Sequence, residues 1–138
     1  MPTRGRRELA AKALQCFLSQ TYEPKNLYII DDADDPSFPN WTPMVNVSRV
    51  VVPPGMLIYA KRNLACEMAN GEVIAHYDSD DWSATERMTD QVRRIEESGK
   101  AVTAYHSMLF CSESLAWYYQ GIPNHPIGTS LCYKKTFW

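Results

Sequence analysis

Apolar residues recur along the first hundred positions with two alternating periods. Between Arg6 and Gln20, the residues Leu9, Ala10, Ala13, Leu14, Phe17 and Leu18 fall three and four apart. That spacing lines one face of a helix about four turns long. Pro24, with no amide hydrogen to add to a helical ladder, marks its end together with Thr21, Tyr22 and Glu23. Leu27 to Ile30 is a continuous apolar run and predicts a buried strand. Residues 33–46 carry Pro36, Pro39 and Pro43 without a period and predict a loop. Val47 to Val52 is a second β-prone run, closed by Pro53, Pro54 and Gly55. Helical spacing returns from Ile58 to Asn70 through Leu64, Ala65, Met68 and Ala69, with Gly71 as its stop. Val73, Ile74, Ala75 and Tyr77 predict a third strand, and Met88, Val92 and Ile95 a helix from about Thr85 to Ser98. The stripe of that last helix is thin and its other face charged, so it belongs on the surface. Met1 to Gly5 is too short for an element and reads as a turn.

Beyond Lys100 the pattern changes. Ala101–Tyr105, Met108–Cys111, Ala116–Tyr119 and Leu131–Tyr133 read as short strands with no long helix between them. Trp117, Tyr118 and Tyr119 read as core or sheet face rather than as a ligand platform. Alternating helix and strand predicts an α/β fold with a mostly parallel sheet, and the tail adds an antiparallel or irregular part. A chain of 138 residues makes one domain.

Composition adds mainly exclusions. A net charge of -2 gives no reason to expect nucleic acid as a partner, and no apolar run reaches the length of a membrane span. Cys16, Cys66, Cys111 and Cys132 are widely spaced. Cys16 and Cys66 read as small core residues within helical patterns, which points to a reduced, cytoplasmic setting without a zinc site.

The chemistry lies where the strands end. The Val73–Tyr77 run drives into Asp78, Asp80 and Asp81, and the Leu27–Ile30 run into Asp31, Asp32, Asp34 and Asp35. Crowded carboxylates repel, so one should have a raised pKa unless a cation joins them. Hard oxygen ligands of this kind suit Mg²⁺ or Mn²⁺, with phosphate oxygens completing the shell. The plainer reading of Asp78–Asp81 is a solvated turn, with Asp81 or Ser83 capping the next helix. Ligands of open α/β sheets bind outside the carboxyl ends of the strands, and two acid-tipped strands at one edge favour a metal and nucleotide site. The Thr3–Gly5 turn sits at the same edge, ahead of a helix N-terminus. Arg62, with Lys61 beside it, brings positive charge, although taken alone it reads as a solvated helical arginine.

These residues resemble family 2 glycosyltransferases, whose fold is GT-A. The likeness runs through Pro2-Thr3-Arg4, Leu18-Ser19-Gln20-Thr21-Tyr22 and Ile29-Ile30-Asp31-Asp32. It continues through Lys61-Arg62-Asn63-Leu64-Ala65, Ala69-Asn70-Gly71-Glu72-Val73-Ile74, Asp78-Ser79-Asp80-Asp81-Trp82 and Arg87-Met88 with Gln91. Each piece alone is weak; the ordered set, over residues 1 to about 98, is specific. The resemblance implies a nucleotide-sugar donor, a UDP-sugar first, and an unknown glycan, lipid or protein hydroxyl as acceptor, with inversion at the anomeric carbon. It implies that Asp31 or Asp32 reads the base, Thr3 and Arg4 line its pocket, Arg62 lies near base or phosphate and Asp78 contacts ribose. Asp80 or Asp81 would hold Mn²⁺ or Mg²⁺ on the diphosphate.

Departures from the family pattern carry their own expectations. The family's first strand ends in the Pro-Thr turn, and here only Met1 precedes Pro2, so that central strand is expected to be missing. The unpaired edge then invites self-association. The family's Glu-Asp pair follows a segment like Gly128–Lys135, whereas this sequence ends at Trp138 and has Glu113 as its only acid after Glu97. The expectation is a domain truncated at both ends. Residues 1–98 form the donor-binding half, 99–138 form a partial acceptor side, and the catalytic base is unidentified. Two alternatives stand beside a transferase: a nucleotide-binding or interaction module without catalysis, and a metal-dependent nucleotidyltransferase.

Overall fold

A computed structural model describes residues 1–111, 114–122 and 125–138. The apolar runs after the first helix and after the proline-rich loop become β2 (Leu27–Asp32) and β3 (Val47–Val52). They pair in parallel, with Leu27 opposite Val47 and Asp32 opposite Val52. On the other side of β2 lies β1 (Pro2–Thr3), also parallel, with Pro2 opposite Ile30 and Thr3 opposite Asp31. Residues read as a turn therefore form a strand; a two-residue strand is too short to show a period. The order of this sheet is β1-β2-β3.

A second sheet is antiparallel. Its middle strand is β8 (Cys132–Lys134), flanked by β4 (Val73–Ala75) and β5 (Val102–Thr103). The strand expected over Ala101–Tyr105 shrinks to two residues, and Tyr77 lies past the end of β4. β6 (Ser107–Cys111) and β7 (Ala116–Gln120) form a separate hairpin, with Phe110 opposite Trp117. Trp117, Tyr118 and Tyr119 do lie on a sheet, but all three are exposed, so they are not core. Glu113 lies outside the described residues.

The helices are α1 (Arg7–Leu18), α2 (Ile58–Met68) and α3 (Arg87–Ser98). α1 buries Ala10, Ala13, Leu14 and Phe17, while Leu9 and Leu18 at the margins of its stripe stay exposed. Ala13, Leu14 and Phe17 pack with Leu27, Ile29, Val47 and Tyr77 into the main core, where the Phe17 ring meets Tyr77 edge-on at 6.2 Å. Full burial of a side chain such as Phe17 or Ile29 contributes roughly 1.5–3 kcal/mol. A smaller cluster joins α2 to the second sheet through Cys66, Ala69, Ile74 and Tyr133. Cys66 is buried and Cys16 half-buried.

α3 keeps a charged outer face, as its thin stripe requires, and buries Gln91, Val92 and Ile95. Its polar anchors are specific. Gln91 Nε2 donates to Ser130 O at 2.6 Å, and Gln20, at the end of α1, accepts from Met88 N–H and donates to Ala84 O. Among the described residues no helix is long and apolar enough to cross a membrane.

Candidate functional site

The two acid tips meet at one edge, bridged by the turn between β1 and α1. Arg4 lies 3.6 Å from Asp32 and donates to Asp34 at 2.9 Å; Arg6 donates to Asp80. The turn is fixed by Gly5, whose φ of 62° lies in the left-handed region and whose N–H donates to Asp35 O at 2.8 Å. Thr3 is anchored from both sides. Its Oγ1 lies 2.6 Å from Ser37 Oγ, and its carbonyl accepts from Lys61 Nζ at 3.0 Å.

The neighbouring acids of β2 differ in their surroundings. Asp31 is fully buried. Its carboxylate accepts from Ser37 N–H at 2.9 Å, Phe38 N–H at 3.2 Å and Arg49 Nε at 3.0 Å. All of that holds the proline-rich loop and β3 against β2. Asp32 instead faces a cavity of about 450 Å³ lined with Thr3, Arg4, Arg6, Leu57, Lys61 and Ser79, among others. Lys61 Nζ sits 2.5 Å from Asp32 Oδ1, a close pair with both side chains nearly fully buried.

The second acid tip forms the next wall. Asp78 accepts from Arg62 Nη2 with both oxygens, at 3.0 and 3.1 Å. Ser79 lines the 450 Å³ cavity, and Asp81 lines a second one of about 260 Å³ with Trp82, Arg87, Tyr105, Thr129 and Ser130. The acidic turn therefore stands between two cavities. Burial pushes the Asp81 carboxyl above its ordinary value, and the charges of Asp78 and Asp80 push it the same way, against a hydrogen bond with Thr129. The expected raised carboxyl is thus present, although burial contributes more to it than the crowding of Asp78 and Asp80. Arg87 braces the turn from below, donating to His76 O at 2.8 Å, Thr129 O at 2.9 Å and Ser83 Oγ at 3.0 Å. α3 begins at Arg87 with no side-chain cap, so neither Asp81 nor Ser83 caps it.

Thr3, Arg4 and Asp32 are thus brought together on one cavity. Arg62 and Asp78 pair beside it without lining it, and Asp31 lies behind it. Arg6 and Ser37 are participants that residue patterns passed over, and Lys61 and Arg87 were noted without the roles they take here. The signal for Arg6 and Lys61 was the basic clusters Arg4–Arg7 and Lys61-Arg62, which do not say which member points inward; Ser37 carried none.

Among the described residues no three His, Cys, Asp or Glu side chains converge as a metal cage. The donor set nevertheless suits a divalent cation shared with phosphate. Asp80 is 40 % exposed, Asp81 is destabilised as an anion, and two carboxylates with phosphate oxygens satisfy a hard ion. A family model described as Glycosyl transferase family 2 matches residues 1–137. No curated protein matches the chain significantly.

Proposed function

The chain belongs to glycosyl transferase family 2, and from that membership we propose that its 450 Å³ cavity takes the nucleoside of a nucleotide-sugar, a UDP-sugar first. With the family go the GT-A fold and glycosyl transfer as the activity, which favours this reading over nucleotidyl transfer. The observation that carries the proposal is the acidic turn between two cavities, Ser79 facing one and Asp81 the other. A donor laid across that turn would place its base beside Asp32, its diphosphate over the carboxylates and its sugar toward the second cavity.

Each residue then has a physical task. The Asp32 carboxylate accepts the N3–H of uracil, a donor that adenine lacks. Thr3 and Lys61 hold Asp32 and the cavity wall in place. Arg4, with its side chain 53 % exposed, is free to turn from Asp34 toward phosphate. Asp78, oriented by Arg62, is placed for ribose. Asp80 and Asp81 would hold Mg²⁺ or Mn²⁺, which when bound neutralises the charge that grows on the departing diphosphate. The acceptor hydroxyl, of a glycan, lipid or protein, would enter by the second cavity and attack with inversion.

The base for that attack is not assigned. Of the carboxylates on the second cavity, Asp90 is tied to Arg94 Nε at 2.7 Å and to the Tyr105 hydroxyl at 3.0 Å. That observation favours a second reading, donor binding without turnover.

Calorimetric titration tests both. UDP binding is expected in Mn²⁺ and not in EDTA, because unshielded diphosphate would face like charges costing on the order of 1 kcal/mol or more each. Asp80→Asn should weaken the metal-dependent part and leave the melting temperature unchanged. Equal affinity in EDTA and Mn²⁺ would reduce the acidic turn to a structural feature. Multiple turnovers with labelled UDP-sugars and mixed acceptors would sink the second reading.

A further inference from the structure

The Asp32–Lys61 pair on the 450 Å³ cavity has hydrogen-bonding capacity to spare. The two side chains are only 2 % and 6 % exposed. Their contact at 2.5 Å is one of charges rather than a directed hydrogen bond, and among the described residues no hydrogen bond reaches Asp32 Oδ1. Asp32 Oδ2 faces Arg4 Nε at 3.6 Å, also beyond hydrogen-bond reach. The Lys61 ammonium has three protons and gives one to Thr3 O at 3.0 Å. A buried carboxylate and ammonium with bonds still to make favour whatever ligand completes them.

The surroundings narrow the chemistry of that ligand. An anion placed on the pair would meet Asp32, and a cation would meet Lys61. Diphosphate therefore belongs nearer Arg4 and Arg6, whose side chains are half exposed. A neutral group that both donates and accepts satisfies the carboxylate and the ammonium together. Met56, Leu57 and Ile58, at the entry to α2, line the same cavity with apolar surface. That surface suits the face of a flat heterocycle.

We infer that Lys61 reads the nucleobase together with Asp32. The carboxylate accepts the ring N–H of the base, and the ammonium donates to a carbonyl next to that N–H. The ligand class is a base whose ring N–H adjoins a carbonyl. Uracil comes first, since its N3–H lies between two carbonyls, whereas the cytosine and adenine of nucleotides have no ring N–H. Lys61 thus contacts the donor itself, beyond holding Asp32 in place. The inference rests on the nucleotide reading of this cavity and deepens it.

The test is calorimetric titration of the full chain in Mn²⁺ with UDP, 2-thio-UDP and 4-thio-UDP. All three share the diphosphate, its metal shell and the ring N–H, and differ only in replacing one carbonyl oxygen by sulfur, a weaker acceptor. One thio analogue should bind roughly five-fold or more weaker than UDP, as loss of a charged hydrogen bond requires. Lys61→Met should weaken UDP by a similar factor and bind that analogue as well as it binds UDP. If Lys61→Met fails to fold, the analogue series on the unaltered chain decides alone. UDP binding with both thio analogues equally tight would overturn the inference and leave the nucleotide reading standing. The same follows if a folded Lys61→Met chain still discriminates against the analogue, because another donor then reads the carbonyl. Absence of UDP binding by the unaltered chain would instead remove the nucleotide reading, and this inference with it.

Discussion

At the scale of single residues, Asp31 and Asp32 show how adjacent carboxylates take different work. Asp31 is closed off by two backbone N–H groups and Arg49. Asp31→Ala would leave these donors buried without a partner, a loss of about 3–5 kcal/mol, read as a lower urea midpoint. An unchanged midpoint would refute its scaffold role. Asp32→Ala should instead lower UDP affinity ten-fold or more, since a hydrogen bond to a charged group is worth about 1.5–3 kcal/mol. If ADP bound the unaltered chain as tightly as UDP, the base assignment to Asp32 would be wrong. The doublet was legible in the sequence as an acid tip. Which member faces the cavity was not, because Ser37, Phe38, Arg49 and Lys61 decide it from three other segments. A local pattern carries no record of such partners.

At the scale of elements, the turn between β1 and α1 is the joint on which both acid tips depend. An added Cβ at Gly5 would run into the Asp35 carboxylate, in a backbone conformation of φ 62°. Gly5→Ala should therefore destabilise by about 1–2 kcal/mol, chiefly the cost of left-handed backbone since the Asp35 carboxylate can swing aside, and should weaken nucleotide binding as Arg4 and Arg6 shift. A thermal melt indistinguishable from the unaltered chain would show that the turn relaxes freely. Elements with several turns or residues of period were readable in advance: α1 falls inside the predicted Arg6–Gln20, and β3 matches Val47 to Val52. β1 was not readable and β5 was read too long, as Ala101–Tyr105, since each has two residues and exists by pairing with a distant partner. β8 shows the same limit. It was expected as one short strand among several, yet it is the middle of its sheet, joined to β4 across about sixty positions. The exposed aromatic residues of β7 mislead in the opposite sense, because their composition resembles core while their hairpin packs against little.

At the scale of the whole molecule, the buried amine of Met1 makes stability depend on pH. Desolvation lowers it from 8.0 to about 5, chiefly against the charge of Asp78. Burial also lowers the His76 imidazole, against its hydrogen bond with Gly128 O. A base whose folded pKa is depressed binds fewer protons in the folded state than in the unfolded one. Stability therefore rises with pH between the folded and unfolded values, here from about 5 to about 8 for the amine. At 1.36 kcal/mol per unit the amine alone contributes up to about 4 kcal/mol across that window. The lowered carboxyls of Glu23 and Asp90 act below this window, while the raised Asp81 opposes the two bases, since a carboxyl raised in the folded state costs stability as pH climbs through its titration. Urea midpoints at pH 5, 6.5 and 8 should climb steeply for the free amino terminus. They should climb only slightly, through His76, once that terminus is acetylated, and His76→Gln should remove what remains. An acetylated chain with the same slope as the free one would show that the amine is solvated rather than buried.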